Sequence, residues 1–407
     1  MVKLRDATPS LFPLYSDPPA RKHGGPIPRH TCVDLFAGAG GLAEGFRDAG
    51  FEICAATDFD EDCALTYQAA YPHESFLCAP IQDLSADHFL RLAGVRSGEL
   101  DCLIGGPPCQ AFSVYNHQRG FHDERSGLFR EYLRLVEGLR PRTLVMENVT
   151  GITSVGAGRA VEEIHERLGK LGYEIEHRIL KAEEFGVPQE RRRIFFLASR
   201  IGKIAWPEPT HGPASKSKRP FVTVWDAISD LPKLDICKGD EISRYPGPAE
   251  SAYQRAIRRS SKFLTNHVAP YLAPINLERM KHIRPGGSWR DIPRHLLPAG
   301  MKKARLCDHT KRYGRLHPDG LACTILTKCD VHWGAYIHPN QERSLTVREA
   351  ARLQSFPDRM CFRGARFEQF RQVGNAVPPL LARAVARQVK RVIEAAVPPR
   401  ERVAIAR

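Results

Sequence analysis

The sequence has no long apolar run. No stretch of the 407 residues approaches the roughly 18 consecutive apolar residues that a membrane span needs. The first six residues are too polar for the start of a signal peptide. We therefore expect a soluble, cytoplasmic protein with no membrane partner. Hydrophobic residues make up 42% and charged residues 26%, values typical of globular chains that exclude wholesale disorder.

The cysteine patterns of metal and disulfide scaffolds are also missing. The 11 cysteines include no pair at CxxC spacing, so neither a zinc ribbon nor a disulfide framework is indicated. We expect reduced thiols and no bound metal. Because most free cysteines are small buried hydrophobes, a cysteine in a glycine- and proline-rich setting is the one to examine.

Apolar and amphipathic segments alternate along the first half of the chain. The apolar runs are 31–36, 51–57, 101–104 and 143–146, and the amphipathic segments include 41–49 and 128–139. This alternation predicts an α/β fold, with a mostly parallel sheet covered by helices on both faces. Two further runs, 174–181 and 193–199, predict strands joined by a polar turn.

The positive charge is concentrated in the second half. The chain carries 60 basic and 46 acidic residues, a net charge of +14, and residues 205–345 carry 23 basic and 13 acidic residues, or +10 of it. This segment is irregular, rich in proline and glycine, and contains all four tryptophans. Such a composition predicts a nucleic-acid-reading surface. A solvated linker or lid fits the composition equally well.

The remaining segments complete the predicted organisation. Residues 1–29, with scattered prolines and no periodicity, predict a mobile arm. We assign 346–371 to a hinge region and 398–407 to a tail. Within 372–397, apolar residues recur at helical spacing after Pro379, which predicts a last helix that packs back on the sheet domain.

A glycine-rich turn follows the first predicted strand. Gly38, Gly40 and Ala43 satisfy a loose dinucleotide fingerprint, and Asp58 ends the next strand at the spacing of about 20 residues where an acid binds a ribose. A purely structural turn is the alternative. Asp34, just before the glycines, would repel a pyrophosphate but suits a cationic ligand such as S-adenosylmethionine.

Two candidate catalytic groups follow the next strands. Cys109 lies in the sequence GGPPCQAFS directly after the strand at 101–104, where prolines stiffen the backbone and ligand crevices form. This is a position for a nucleophile, whereas a packing cysteine would be expected inside an apolar strand. Glu147 ends the following strand, where a carboxyl group could act as acid or base or could simply be solvated.

The segment 189–193 carries a third group of polar residues. Strand alternation puts Gln189, Arg191 and Arg193 on one face and Glu190 and Arg192 on the other. Two guanidiniums on one face could hold an anion or a carbonyl group and lower the pKa of a nearby thiol. A solvated edge strand is an equally good interpretation.

In this order, these blocks resemble the DNA (cytosine-5)-methyltransferases, and the resemblance extends from about residue 30 to 390. Two later blocks match as well, TVREAARLQSFPD at 346–358 and QVGNAVP at 372–378. The resemblance implies a Rossmann-like, S-adenosylmethionine-dependent catalytic domain at 30–204. It also implies a smaller, irregular, strand-containing target-recognition domain at 205–345.

The resemblance assigns cofactor contacts residue by residue. Asp58 would take the ribose of S-adenosylmethionine and Phe59 would stack on its adenine. The other matching cofactor positions are Phe36, Gly38, Gly40, Gly41, Ile81, Pro108, Leu128 and Asn375. The chain departs from the pattern at Pro80, where many relatives have an acid that contacts the adenine amino group, and Asp83 is close enough in sequence to replace that acid.

The resemblance also implies the chemistry. Cys109 would add to C6 of a cytosine swung out of the duplex, because the reaction cannot occur inside the stack. Glu147 would hold a proton at N3, Arg193 would hold the base carbonyl, and Arg191 and Gln189 would shape the same wall. The products would be methylated DNA and S-adenosylhomocysteine. Residues 114–127 are expected to form a loop that closes on the DNA.

The partners follow from the same resemblance. We expect a monomer that acts on double-stranded DNA in the bacterial nucleoid, with a cognate restriction endonuclease as a candidate partner. Three alternatives remain: a tRNA-methylating relative, an NAD-dependent oxidoreductase that would leave Cys109 and Glu147 without roles, and a catalytically silent DNA-binding protein.

Overall fold

The computed structural model describes residues 30–108 and 127–396. The predictions for the arm at 1–29, for Cys109, for residues 114–126 of the closing loop and for the tail at 398–407 therefore lie outside the described residues.

A seven-stranded sheet organises the N-terminal half. Its strands are β1 (Thr31–Leu35), β2 (Glu52–Asp58), β3 (Ser75–Cys78), β4 (Cys102–Gly105), β5 (Thr143–Asn148), β6 (Glu174–Lys181) and β7 (Arg192–Ser199). They lie in the order β3-β2-β1-β4-β5-β7-β6. Strands β1 to β5 are parallel, and β7 is antiparallel to both of its neighbours. The strand order changes direction between β1 and β4, and in such sheets a ligand crevice opens at that point.

Helices cover both faces of this sheet, as the alternation of segments predicted. They are α1 (Gly41–Asp48), α2 (Glu61–Ala70), α3 (Ala86–Ala93), α4 (Leu128–Leu139) and α5 (Arg159–Lys170). Successive β1 side chains enter different cores, since Cys32 packs with α1 on one face while Val33 and Leu35 pack with α3 and α4 on the other. The Rossmann-like α/β prediction is confirmed.

Residues 205–345 form a smaller, less regular region. It contains α6 (Val224–Ile228), β8 (Gly239–Ser243), α7 (Ala252–Ile257), β9 (Leu264–Val268) and α8 (Pro274–Lys281). Strands β8 and β9 pair antiparallel in a two-stranded sheet. A separate small hydrophobic core lies within this region and buries Trp289, Tyr313 and Val331. An irregular region with short strands was predicted for this part of the chain.

Buried charges join this region to α9 (Val347–Leu353), a helix that is buried along its whole length. Arg352 pairs with Asp230 of the irregular region, and its Nη2 lies 2.7 Å from Oδ2 of Asp358. Arg348 donates to the backbone and hydroxyl oxygens of Thr265 on β9, at 2.9 and 2.7 Å. The stretch 346–371, assigned to a hinge from the sequence, thus contains a packed helix.

Two helices end the described chain, α10 (Arg366–Asn375) and α11 (Pro379–Ala396). The last helix starts at Pro379, as the helical spacing predicted, whereas residues 372–375 of the segment 372–397 belong to α10. It packs back on α1 as expected, so closely that a Cβ on Gly45 would lie 2.5 Å from that of Ala382. None of the helices in the described part combines the length and apolar character needed to cross a membrane.

Candidate active site

The predicted site residues converge on one edge of the sheet. Parallel strands β1, β2, β4 and β5 all end there, and antiparallel β7 begins there because its Ile194 pairs with Asn148 at the end of β5. The glycine turn, Asp58, the turn that leads to Cys109, Glu147 and Arg193 therefore share this edge.

The glycine turn leaves its backbone accessible. Phe36, Gly38 and Gly40 have φ values of 57°, 53° and 86°, a left-handed conformation that glycine adopts without strain. A Cβ on Gly38 would meet no atom within 4 Å, so a ligand has room to approach. Gly41 serves packing instead, since a Cβ there would lie 2.5 Å from the carbonyl oxygen of Val377.

Asp58 and Phe59 stand beside this turn at the end of β2. The amide of Gly38 donates to Oδ2 of Asp58 at 2.9 Å, and the amide of Asp60 donates to Oδ1 at 3.1 Å. Burial raises the pKa of Asp58, while these amides oppose the rise. The ring of Phe59 is 64% exposed. An exposed ring next to a fixed carboxylate suits stacking on a purine beside its ribose.

Asp34 is an unusual buried acid beneath the glycine turn. It is 1% exposed, and within the described residues neither carboxylate oxygen has a hydrogen-bond partner of ordinary geometry. Burial raises the pKa of Asp34 well above its usual range, although the Arg47 cation and the Ala43 amide oppose this effect. A buried, unsatisfied carboxyl is costly, and a cationic ligand would relieve it. The residues at this edge therefore fit S-adenosylmethionine.

The other predicted cofactor residues differ in accessibility. Ile81 is buried in a core, Pro108 and Leu128 are partly buried, and Asn375 is exposed at the end of α10. The departure at Pro80 lies on the turn after β3. Because Cys78 pairs with Asp58, this turn leaves the sheet at the same edge, and Asp83 on it is exposed.

If Asp83 replaces the missing adenine-contacting acid, Asp83→Ala should raise the Kd for S-adenosylmethionine about tenfold. A tenfold change corresponds to the loss of one charged hydrogen bond, worth about 1.5 kcal/mol. Gln82→Ala, an exposed neighbour on the same turn, is the matched control and should bind as the wild type does. Isothermal titration of both variants decides the matter, and an unchanged Kd for Asp83→Ala rejects the replacement.

Glu147 and Arg193 form an ion pair at the adjacent strand ends. Nε of Arg193 lies 2.9 Å from Oε1 of Glu147, and both side chains are largely buried. Burial raises the pKa of Glu147 above its ordinary value, although Arg193 and Arg191 oppose this rise. A carboxyl group held in this way can carry a proton to a base ring nitrogen, while the guanidinium remains a donor for an oxygen.

The turn that leads to Cys109 is fixed against this pair. Oε2 of Glu147 lies 3.1 Å from the position that a Cβ would take on Gly106. Asn148 donates from Nδ2 to the carbonyl oxygen of Pro107 at 3.0 Å, and its side chain is buried. Asn148 was not predicted as a site residue, although its position next to Glu147 at the end of a strand could have indicated it. The carboxyl group therefore stands beside the approach to the predicted nucleophile.

Gln189 and Arg191 form no hydrogen bond or ion pair with Glu147 within the described residues, although the charge of Arg191 acts on that carboxyl group. Both are fully buried at the junction with 205–345 and the C-terminal helices. The Arg191 guanidinium donates to the carbonyl oxygens of Ile325, Gly374 and Ala376 at 3.1, 2.9 and 2.9 Å. Gln189 donates to the carbonyl of Leu353 at 3.1 Å and accepts from the amide of Ile325 at 2.9 Å. Apart from Nε of Arg191, which has no hydrogen-bond partner among the described residues, their polar atoms bind neighbouring segments. Their place on the wall of the base pocket stays a prediction.

This geometry belongs to a methyltransferase scaffold, and comparison with known proteins identifies the class. The family model for C-5 cytosine-specific DNA methylases matches residues 30–391. The Type II methyltransferase M.AgeI of Thalassovita gelatinovora is 34% identical, over 88% of this chain and 98% of that protein. The Type II methyltransferase M1.HphI of Haemophilus parahaemolyticus is 36% identical, over 88% of this chain and 86% of its own length.

The chain belongs to the C-5 cytosine-specific DNA methylase family and is a DNA (cytosine-5)-methyltransferase. A solved structure of a prophage-encoded E. coli protein, named as a DNA modification methyltransferase, superposes with a TM-score of 0.71 at 23% identity. It covers 90% of this chain and 100% of the other, and at this identity it shows the shared fold. Within the described residues, no group of three His, Cys, Asp or Glu side chains could hold a metal ion.

Proposed function

We propose that the protein transfers a methyl group from S-adenosylmethionine to C5 of a flipped-out cytosine in a specific duplex sequence, through a covalent bond between Cys109 Sγ and C6. The observation that carries this proposal is the buried pair of Glu147 and Arg193, 2.9 Å apart. It stands against the turn at Gly106, three residues before Cys109.

The residues at the carboxyl ends of β1 and β2 would hold the cofactor. Asp58 would accept hydrogen bonds from the ribose hydroxyls, and the exposed ring of Phe59 would stack on the adenine. The buried carboxyl of Asp34 would face positive charge near the glycine turn. When bound, S-adenosylmethionine supplies an electrophilic methyl group on a positively charged sulfur. The rest of the cofactor site would be lined by Ile81, Pro108, Leu128 and Asn375.

The protein's own groups would activate the cytosine. The Cys109 thiolate adds to C6, and Glu147 gives its proton to N3, which draws electron density away from C6 as the sulfur–carbon bond forms. Arg193 donates to the carbonyl oxygen of the base. The ring is then an enamine whose C5 is nucleophilic. After C5 gains the methyl group, a base removes its proton, the electrons expel the thiolate from C6, and N3 returns its proton to Glu147.

Arg191 and Gln189 would act by positioning other residues. Arg191 binds the carbonyls of Gly374 and Ala376, which flank the cofactor residue Asn375. It also stands two residues before Arg193. One fully buried side chain thus connects the segment that holds the base to the segment that holds the cofactor.

The target cytosine has to leave the duplex, at a cost of a few kcal/mol that contacts to the flanking DNA must offset. The basic region 205–345 would supply these contacts and read the sequence. We further propose that the protein acts as a monomer in the cytoplasm, in a restriction-modification or orphan methylation role. The Type II names of its relatives support a partner endonuclease.

Tritium transfer from methyl-labelled S-adenosylmethionine tests the proposed function. We expect label on duplex DNA and none on tRNA, and bisulfite sequencing of DNA from cells that express the chain should show protected cytosines within one short sequence. Label on tRNA alone would move the protein to the RNA-methylating alternative. Absence of label on both nucleic acids would contradict the proposal.

A further inference from the structure

A cavity in the 205–345 region has no role in the chemistry described so far. It has a volume of about 330 Å³ and is lined by residues from 286–290, 310–317 and 321–335. Ligand cavities commonly measure about 300–1,000 Å³. We call it the glycine-lined cavity because Gly286, Gly287 and Gly314 lie in its wall.

The wall is built from two paired backbone segments. The amide of Gly286 donates to the carbonyl of Arg315 at 3.0 Å, and the amide of Arg315 donates to that of Gly287 at 3.1 Å. Further along, the amide of Trp289 donates to the carbonyl of Arg312 at 3.0 Å. The ring of Trp289 is buried in the small core beneath. The cavity is therefore held in shape without a ligand.

Two of its four exposed side chains are cationic. Arg290 and Lys311 are exposed at the cavity together with Thr310 and His317. In the part of the chain that the structure describes, Arg290 has no ion pair or side-chain hydrogen bond, and the Nζ of Lys311 lies 3.7 Å from the exposed carboxylate of Glu190. Exposed pairs of this kind contribute little, about 0–1 kcal/mol, so Lys311 can exchange that partner for another anion.

Arg315, although it lines the same cavity, is committed elsewhere. It is 5% exposed, and its guanidinium donates to the carbonyls of Met280, Ile283 and His338 at 2.8, 2.6 and 3.0 Å. It therefore supports the wall. The cations left to meet a ligand are Arg290 and Lys311.

The cavity adjoins the catalytic edge. Its wall residue Cys323 follows Ala322, which exchanges backbone hydrogen bonds with Pro188 and Glu190 at 3.0 and 2.8 Å. Glu190 precedes Arg193 by three residues, which an extended chain spans in at most about 11 Å. The cavity wall is thus hydrogen-bonded, through Ala322, to the segment that leads to Arg193.

We infer that the glycine-lined cavity seats a backbone phosphate of the DNA beside the target cytosine, with Arg290 and Lys311 as its cations and Thr310 as a neutral donor. This inference rests on the proposed function. A phosphate matches the observations because the exposed charged side chains among the described lining residues, Arg290 and Lys311, are both cations, and most protein–DNA hydrogen bonds go to the phosphate and sugar backbone. Exposed cations on flexible side chains recognise phosphate charge without reading sequence.

The test is the salt dependence of DNA binding by the full-length chain. The Arg290→Ala/Lys311→Ala variant and the wild type are titrated with two duplexes of equal length and unrelated sequence over a range of NaCl concentrations. Losing one neutralised phosphate should reduce the slope of log K against log salt by about 1. It should also weaken binding roughly tenfold at 0.1 M salt, equally on both duplexes.

The matched control removes two cations from the same region outside the cavity. Lys281 and Arg305 are exposed and paired with Glu278 and Asp308, so Lys281→Ala/Arg305→Ala makes the same change in net charge. We expect this control to keep a slope close to that of the wild type. If the cavity variant behaves like the control, or weakens binding to only one duplex, the phosphate assignment is wrong.

Failure of this inference is distinguishable from failure of the proposed function. If the wild type transfers tritium to DNA while the cavity variant keeps its salt slope, only the cavity assignment falls. If the wild type transfers no methyl group to DNA, the proposed function falls, whatever the slopes show. Unchanged thermal unfolding of both variants establishes that these surface substitutions leave the fold intact.

Discussion

Cys109→Ser is expected to abolish methyl transfer to DNA, with a fall in kcat on the order of 10⁴-fold or more. A serine hydroxyl is hardly ionised near neutral pH, whereas a thiol is partly ionised and its thiolate is strongly nucleophilic. The loss should fall on kcat, because the residues predicted to bind the cofactor are left unchanged. Tritium transfer to duplex DNA measures it, and Cys307→Ser, at an exposed cysteine of the irregular region, is the control.

A second readout shows the covalent bond itself. A duplex that carries 5-fluorocytosine at the methylated position should capture the wild type irreversibly when S-adenosylmethionine is present, because fluorine at C5 cannot leave as a proton does. The Cys109→Ser variant should give no adduct on a denaturing gel. Methylated DNA from this variant, or a wild type that is never captured, would refute the covalent mechanism.

Glu147→Gln is expected to lower kcat by about 10²- to 10⁴-fold, the range for loss of a general acid or base. Glutamine is close in size and its oxygen can still accept from Arg193, but it has no proton to give to N3. Because burial raises the pKa of Glu147, the carboxyl keeps its proton to a higher pH than an exposed glutamate does. Wild-type activity should therefore decline as pH rises through this raised pKa, and the variant should lack that decline.

The control for this experiment is Glu174→Gln, an exposed position at the start of β6 on the opposite edge of the sheet, which should keep wild-type rates. Single-turnover rates measured across pH separate the proton effect from general damage to the site. Equal rates for Glu147→Gln and the wild type would remove Glu147 from the mechanism. A variant that is slow but retains the same decline would assign the decline to another group.

Much of the α/β domain could be predicted because its signal is local. Apolar residues repeat with one period in a strand and another in a helix, so both can be read from the sequence. The spacing between Gly38 and Asp58 is set by one strand–turn–helix unit, and the hydrogen bond of 2.9 Å from the Gly38 amide to Asp58 agrees with it. Strand β3 was missed since it is only four residues long and its apolar residues, Phe76 to Cys78, make a run too short to stand out. The start of the last helix at Pro379 was predicted correctly, because proline favours the first turn of a helix.

The candidate site, like the fold, could be predicted only in part. Strand ends place Glu147 and Arg193 at one edge, which the sequence order can predict. Alternation also puts Gln189 and Arg191 on the same face as Arg193, but it does not say whether that face meets solvent or another segment. Their partners, such as Ile325 and Gly374, lie far along the chain, and only the tertiary structure brings them together.

The buried charges around α9 have a consequence for how this protein can change. Arg352 takes one acidic partner, Asp230, from the irregular region at 205–345, and that region also shares its main apolar core with the sheet. Replacing 205–345 with the corresponding region of a relative would remove Asp230 and leave two buried arginines, Arg348 and Arg352, with Asp358 as their shared acid, unless the donor supplies an equivalent of Asp230. Removing one partner of a buried ion pair costs about 3–5 kcal/mol. If this region reads the DNA sequence, as proposed, new target sequences are therefore more accessible through exchange of surface side chains than through replacement of the whole region.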